Sequence, residues 1–177
     1  YLAGYNITRA SGSVAVGQEA LKTLQTGNFN VAIGRESLFS ANGAADNVAV
    51  GKAAGTACTT GGNNVFIGKN AGYDATDAEK NVFVGASTRN DNAGTSSQVV
   101  LGFEARSQGG GYFTVGNSNS NWSRVDIGST TWYSSSDERL KKNINSLNVG
   151  LDFINDLRPV TYNWKTKGEV DSNLSHH

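Results

Sequence analysis

A five-residue phrase recurs six times between residues 13 and 102, and its regular spacing constrains the fold more than any other feature of the sequence. The second residue of the phrase is always Val, the fourth is Val, Ile or Leu, and the fifth is always Gly. The closing glycines follow one another at intervals of 17 residues, at Gly17, Gly34, Gly51, Gly68, Gly85 and Gly102. A fixed period with one short strand per repeat is typical of a solenoid, in which each coil stacks on the next.

The alternation within the phrase predicts a strand with two different faces. Residues two and four share one face and residue three lies on the other. Because residues two and four are always branched aliphatic side chains, we expect them to fill the interior, where a fixed cross-section tolerates little change in volume. The closing Gly ends the strand at a sharp bend.

Residue three of the phrase forms a second apolar surface, for which we expect a different role. It changes from Ala to Phe to Val along the array, at Ala32, Ala49, Phe66, Phe83 and Val100. A lean coil cannot cover both faces by itself, so we expect other copies of the chain to cover this surface, in a homotrimer. The alternative is that residue three lies on a mixed face in contact with solvent.

A second register of small residues follows each closing Gly by three positions, at Ala20, Ser37, Ala54, Ala71, Thr88 and Ala105. Small residues at one phase indicate either a tight corner or a close approach to a neighbouring chain. The triplet at residues 3–5 repeats the triplet at residues 71–73, and no Met is present. We therefore expect the sequence to begin inside a coil, as a piece of a longer polypeptide.

The composition excludes several classes of function. The chain has 22 Gly and only 37% hydrophobic residues, which favours a thin, repetitive core. Its 15 basic and 15 acidic residues cancel, so we expect no nucleic-acid partner. No apolar run is long enough to cross a membrane, so membrane insertion is not expected.

Cysteine and histidine usage narrows the chemistry further. The single Cys58 cannot form an intrachain disulfide, and we interpret it as a buried or loop thiol without function. The two histidines are the last two residues, which excludes a Ser-His-Asp triad, a Cys-His nucleophile or a His-rich zinc site in the body of the chain. We expect no cofactor and no metal.

The period breaks after residue 102 and defines the expected domain organisation. Two shorter phrases, at residues 112–116 and 125–128, indicate a β neck, with the chains either side by side or wound around one another. Charged residues then become dense, and an apolar stripe at helical spacing precedes Pro159 and an alternating strand at 160–164. The stripe consists of Leu147, Leu151, Ile154 and Leu157.

We therefore expect a mainly β chain with three parts. Residues 1–105 form a parallel β-helix or β-roll solenoid with 17-residue coils, residues 106–134 form the neck, and residues 135–177 form a small α+β segment.

The segment after the neck has a specific resemblance. Residues 136–144 read Ser-Asp-Glu-Arg-Leu-Lys-Lys-Asn-Ile, and residues 157–164 read Leu-Arg-Pro-Val-Thr-Tyr-Asn-Trp. Together they resemble the start of the intramolecular chaperone domain of bacteriophage tail fibres and tailspikes, the S74 peptidase family. The repeats separately resemble the heads of trimeric autotransporter adhesins and the repeat arrays of phage fibres.

The resemblance implies a domain that trimerises, brings three chains into register and then cuts itself off. By position, Ser136 would be the nucleophile and Lys141 its general base, with the scissile bond at or next to the one joining Ser136 to Asp137. This is a single-turnover Ser-Lys autoprotease, with no turnover of another substrate expected. The domain is expected to be incomplete here, since the family continues beyond the tryptophan strand.

The residues alone leave a second interpretation of this motif open. A serine followed by two acidic residues and then by Leu-Lys-Lys is also an ordinary helix start with favourable charges. On an α-helix, residues five apart point about 140° away from each other, so Ser136 and Lys141 would diverge.

The leading functional hypothesis is a structural one. The chain is expected to be the distal part of a trimeric tail fibre in the extracellular part of a virion, attached to the rest of the tail. Its partner would be a glycan or protein receptor on the host cell surface. One alternative is a bacterial trimeric adhesin on the cell surface.

Another alternative is a tailspike that degrades polysaccharide. It would use Glu19 and Glu36, which follow closing glycines on adjacent coils, with Glu104 at the same phase. Adjacent coils place the two backbones about 5 Å apart, near the carboxyl separation of retaining glycosidases.

Overall fold

The computed structural model describes residues 2–118 and 121–134 and shows a single sheet of nine strands in chain order. The strands are β1 Val14–Val16, β2 Val31–Ile33, β3 Val48–Val50, β4 Val65–Ile67, β5 Val82–Val84, β6 Val99–Gly102, β7 Tyr112–Gly116, β8 Trp122–Asp126 and β9 Trp132–Ser134. These described residues contain no α-helix. The chain divides into two units, Tyr1–Ser136 and Asp137–His177, and the predicted helix over 147–157 and strand at 160–164 lie outside the described residues.

The predicted parallel solenoid is confirmed. Strands β1 to β6 pair in parallel, and each residue of β1 to β5 lies opposite the residue one period later, as Val14 does with Val31 and Val31 with Val48. Backbone bonds continue this pairing beyond the strands: the Val31 N–H donates to Asn47 O at 2.8 Å. The first five strands are three residues long rather than the expected five.

The prediction of which strand face lies inside is wrong. Residue three of the phrase is interior, since Ala32, Phe66 and Phe83 are fully buried within a single chain. Residues two and four point outward, and Val16 is 53% exposed. Alternation decides which side chains share a face but not which face is inside. The first residue of the phrase lies on the same face as residue three. It is a buried Asn in most coils, and its side-chain amide forms hydrogen bonds in the interior.

The interior keeps a nearly constant volume by exchanging large and small residues. Two positions share this exchange: the one four residues after the closing Gly, and residue three of the next phrase. In the first two coils the first position is large and the second small, as in the pairs Leu21 with Ala32 and Leu38 with Ala49. In the next two coils the order is reversed, as in the pairs Gly55 with Phe66 and Gly72 with Phe83. The Phe66 and Phe83 rings stack with their centroids 5.8 Å apart. A methyl group added at Gly55 would lie 2.6 Å from Cδ2 of Phe66, so the glycine makes room for the ring.

The corner of each coil requires glycine and small residues. The closing glycines have φ between 118° and 135°, and a Cβ on Gly17 would lie 2.7 Å from the carbonyl carbon of Gly34. The small residues three positions later, such as Ala20 and Ala71, are fully buried within their own chain. They therefore form a tight corner of the coil.

A column of buried amides runs through the solenoid at residue one of the phrase. Asn64 donates its backbone N–H and its Nδ2 to Oδ1 of Asn47, at 2.9 and 3.0 Å, and donates Nδ2 to the Ala78 carbonyl at 2.8 Å. Oδ1 of Asn64 in turn accepts the backbone N–H of Asn81 at 3.0 Å. Equivalent bonds begin at Ser13 and end at Gln98. Each amide thus links its coil to the next.

The neck continues the same sheet with a shorter coil. Strand β7 pairs in parallel with β6. Val99 lies opposite Phe113, so the number of residues between paired positions is smaller here than the regular period. Strands β8 and β9 then extend the sheet in antiparallel fashion. The Arg124 guanidinium lies over the rings of Tyr112 and Trp122, at 4.3 and 5.4 Å from their centroids.

We expect Gly55→Ala to destabilise the solenoid by about 2–4 kcal/mol. The added methyl group overpacks the interior against Phe66, at a cost of about 1–3 kcal/mol, and Gly55 has a left-handed φ of 59°, which costs an ordinary residue about 1–2 kcal/mol. Denaturant unfolding at fixed protein concentration measures the change. The control is Gly43→Ala, whose methyl group would have no neighbour closer than 3.7 Å. Equal midpoints for the two variants would contradict the volume exchange.

We expect Asn64→Ala to destabilise the protein by about 2–6 kcal/mol. The change leaves the Asn81 N–H and the Ala78 carbonyl without their side-chain partner, and each buried unpaired group costs about 1–3 kcal/mol. Asn42→Ala is the matched control, because the Asn42 side chain is exposed and a change there should stay within about 0.5 kcal/mol. Unfolding midpoints that shift equally would show that the amide column is dispensable.

Candidate interaction surface

The outward face of the strands is an uncovered apolar stripe. Its most exposed side chains are 36% to 53% exposed: Val14, Val16, Ile33, Val48, Val50 and Ile67. They form two columns, from residues two and four of the phrase, that repeat about every 4.8 Å along the solenoid. Strands β1 to β5 contain no polar or charged residue. We call these six residues the outward face.

The outward face has the properties of a protein–protein interface. Parallel sheets are ordinarily covered on both faces, and contiguous apolar patches on a soluble domain mark interaction sites. The residues of this face are the same branched aliphatic types in every coil, so a flat, regular surface results. The expectation that residue three carries the contact with other copies is corrected: residues two and four carry the exposed surface.

A pattern in the sequence agrees with the observed face, and only the structure shows that the two positions involved meet inside the coil. Phe appears at residue three in the two coils where Gly replaces Leu four positions after the closing Gly. Such compensation occurs only between side chains that share an enclosed space. The constant Val at residue two reflects the outward face instead.

The predicted self-cleavage residues Ser136, Asp137 and Lys141 lie outside the described residues. The structure does place the glutamates of the glycosidase alternative. Glu19 accepts a bond from Lys22 Nζ at 2.7 Å, and Glu36 accepts one from Arg35 Nη2 at 2.6 Å. Each carboxylate is therefore held in its own ion pair, an arrangement that does not support a shared catalytic pair.

Cys58 occupies an interior position of the coil. The thiol is fully buried and donates to the Gly61 carbonyl at 3.5 Å. Burial, above all other influences, raises the pKa of Cys58 to about 12. The thiol therefore stays protonated and unreactive at neutral pH.

The described residues hold neither a cluster of metal-ligating side chains nor a membrane-spanning helix. Residues 2–118 and 121–134 contain no group of three or more His, Cys, Asp and Glu side chains placed to hold a metal ion. The same part of the chain has no helix of the length and hydropathy that crossing a membrane requires.

Comparison with known families shows a match at the end of the chain. Residues 136–177 match the family Peptidase_S74, described as the chaperone of endosialidase. This match supports the predicted resemblance of the C-terminal segment to a chaperone domain. Comparisons of the chain with curated proteins and with solved structures gave no match.

Proposed function

We propose that the chain is the distal part of a trimeric tail fibre, in which a β-solenoid shaft precedes a chaperone segment that directs assembly. The observation that carries the proposal is the combination of two features in one chain. A parallel solenoid leaves an apolar face uncovered, and the segment that follows the neck is similar to the S74 chaperone family.

The uncovered face supports assembly with identical chains. Full burial of a Val or Ile side chain contributes about 1.5–3 kcal/mol, so covering a half-exposed one contributes roughly 1 kcal/mol. The six residues of the outward face therefore contribute several kcal/mol per chain. Identical chains aligned in parallel around a closed three-fold axis would bring the outward faces of all three chains together. The number three rests on the resemblance of the repeats and of the C-terminal segment.

The C-terminal segment supplies the second part of the proposal. It aligns the three chains and then separates by self-cleavage, with Ser136 as the nucleophile. Lys141, as a neutral amine, takes the proton of the Ser136 hydroxyl, and a neighbouring positive charge such as Arg139 lowers the lysine pKa toward working pH. Ser-Lys pairs are an established variant of serine nucleophile activation.

The location and partners follow from this assignment. The fibre belongs to the extracellular part of a virion, is joined to the rest of the tail and contacts a glycan or protein receptor on the host surface. The solenoid is the rigid part that holds the contacting surface away from the virion.

We expect Val50→Lys with Ile67→Lys to break the trimer. Two lysines per chain, on neighbouring strands of the outward face, place six like charges of a trimer in a dry interface, which opposes association. Sedimentation equilibrium should give three chain masses for the parent protein and one for the variant. The control, Gln25→Lys with Thr60→Lys, adds the same charges at exposed positions outside the strands and should stay trimeric. A monomeric parent protein, or a trimeric face variant, would refute the proposed assembly.

We expect the full-length protein to release a fragment that starts near Asp137, and Ser136→Ala to abolish the release. Lys141→Ala should act in the same way, because the hydroxyl then lacks its base. Intact-mass analysis after expression measures both. The matched controls, Ser135→Ala and Lys142→Ala, should cleave like the parent. Cleavage that persists in Ser136→Ala would assign the nucleophile elsewhere.

A further inference from the structure

Three polar cavities lie next to one another on the later coils of the solenoid. The first, of about 320 Å³, is lined by Asn70, Tyr73, Ser87, Arg89 and Glu104. A second, of about 210 Å³, shares Arg89 with the first and adds Asp74, Asp91 and Arg106. A third, of about 320 Å³, shares Asp91 and Arg106 with the second. We call this connected row of cavities the polar trough.

The trough exists because arginine replaces an interior residue. Four positions after the closing Gly, the first four coils carry Leu21, Leu38, Gly55 and Gly72, all with left-handed φ between 46° and 59°. The next two coils carry Arg89 and Arg106, which instead form a parallel bridge. A guanidinium cannot be buried among alanines without a partner. Arg89 is half-buried and Arg106 is exposed, and the cavities lie where these side chains turn outward.

Among the described residues, each of the two arginines uses few of its hydrogen-bond donors. Arg89 Nη1 donates to the Tyr73 hydroxyl at 3.4 Å, and Arg106 Nη2 donates to the Asp91 carbonyl at 2.8 Å. Within the described part of the chain, neither guanidinium forms an ion pair. Because a guanidinium has five N–H donors, most of them remain available to a ligand.

Acceptors lie beside these donors. The Glu104 carboxylate has no hydrogen-bonding partner among the described residues and lines the first cavity. Asp91 Oδ1 accepts a bond from the Ser107 hydroxyl at 3.0 Å, and Asp91 lines the second and third cavities. Burial raises the pKa of Asp74, although a bond from the Asn90 N–H opposes the shift. The trough therefore offers both donors and acceptors, from two arginines and three acidic residues.

This chemistry selects one class of ligand. An anionic ligand would need an excess of positive charge, but the carboxylates of Asp91 and Glu104 lie beside the two arginines. A peptide would need apolar pockets or a free strand edge, and Ala93 is the one apolar residue among those that line the three cavities. A polyhydroxylated ligand uses each hydroxyl as donor and acceptor together, and the Tyr73 side chain also lines the first cavity.

We propose that the polar trough binds a neutral saccharide chain, with Arg89, Arg106 and Glu104 as its principal hydrogen-bonding groups. The inference rests on the proposed attachment function and specifies the chemical class of its receptor. Glu104 serves here in binding. None of the residues that line the trough belongs to the outward face, which is the surface proposed to pair the chains.

A carbohydrate array tests the proposal with the intact chain. The array carries neutral and acidic oligosaccharides from bacterial capsules in one set and from lipopolysaccharides in another, which distinguishes the two sources of the same chemistry. The trough variant is Glu104→Gln with Arg106→Gln, both at exposed side chains. Its matched control is Glu36→Gln with Arg35→Gln, since Glu36 has the same phase and the same left-handed backbone as Glu104. Unfolding midpoints and sedimentation mass verify that both variants fold and assemble like the parent.

We expect the parent protein and the control to bind neutral oligosaccharides, and the trough variant to lose affinity at least tenfold. The proposal is overturned if the parent binds no sugar, if it binds acidic sugars alone, or if the trough variant binds as tightly as the control. Adhesion of the chain to bacterial cells is measured in parallel. Adhesion that survives in the trough variant refutes the saccharide site but not attachment, whereas sugar binding without adhesion refutes attachment but not the site.

Discussion

The column of buried amides is the interaction on which the rest of the structure depends. Each Asn side chain accepts the backbone N–H of the residue one coil later and donates to a carbonyl 14 residues further along the chain. These bonds satisfy polar backbone groups in a coil whose strands are only three residues long. They also permit a single register, because a shift by one residue would turn the amides to the outside and the aliphatic residues inward.

A narrow interior follows from this arrangement and determines what remains outside. Each of the first four coils has one place for a large apolar group among the two interior positions that exchange volume, which are the position four residues after the closing Gly and residue three of the phrase. Leu fills it in the early coils and Phe in the later ones, each opposite a smaller partner. The Val and Ile side chains at residues two and four of the phrase point away from this interior and form the outward face. The narrow interior that makes the coil regular therefore leaves an apolar surface outside, which a second copy of the chain can cover.

The later coils depart from the regular pattern at one position, with a local effect. Arg89 and Arg106 replace the interior Leu or Gly, yet the backbone of the strands keeps its pairing through β5 and β6. A solenoid tolerates this change because each coil contacts only its neighbours. The outward face of the regular strands is thus proposed for assembly, and the polar trough at the irregular corner is proposed for ligand recognition.

Much of the architecture could be predicted from the period alone. The glycines at one spacing determined the coils, their parallel stacking and the sharp corners, because only glycine accepts the φ and the close approach found at Gly17 and Gly34. The small residues at Ala20 and Ala71 were identified as corner candidates for the same reason. The buried Cys58 was among the expected outcomes, since small residues surround it in the sequence.

What only the tertiary structure decided is which face of each strand lies inside, and where the irregular coils open. Alternation is symmetric under exchange of the two faces, and the constant branched side chains favour Val31 for the interior. The structure instead buries Ala32, on the same side as the buried amides of Asn30 and Asn47. The trough needs residues as far apart as Asn70 and Glu104 to meet, and it forms only because stacking brings three successive coils together. The period is a local property of the chain, whereas burial and cavities arise from contacts between coils.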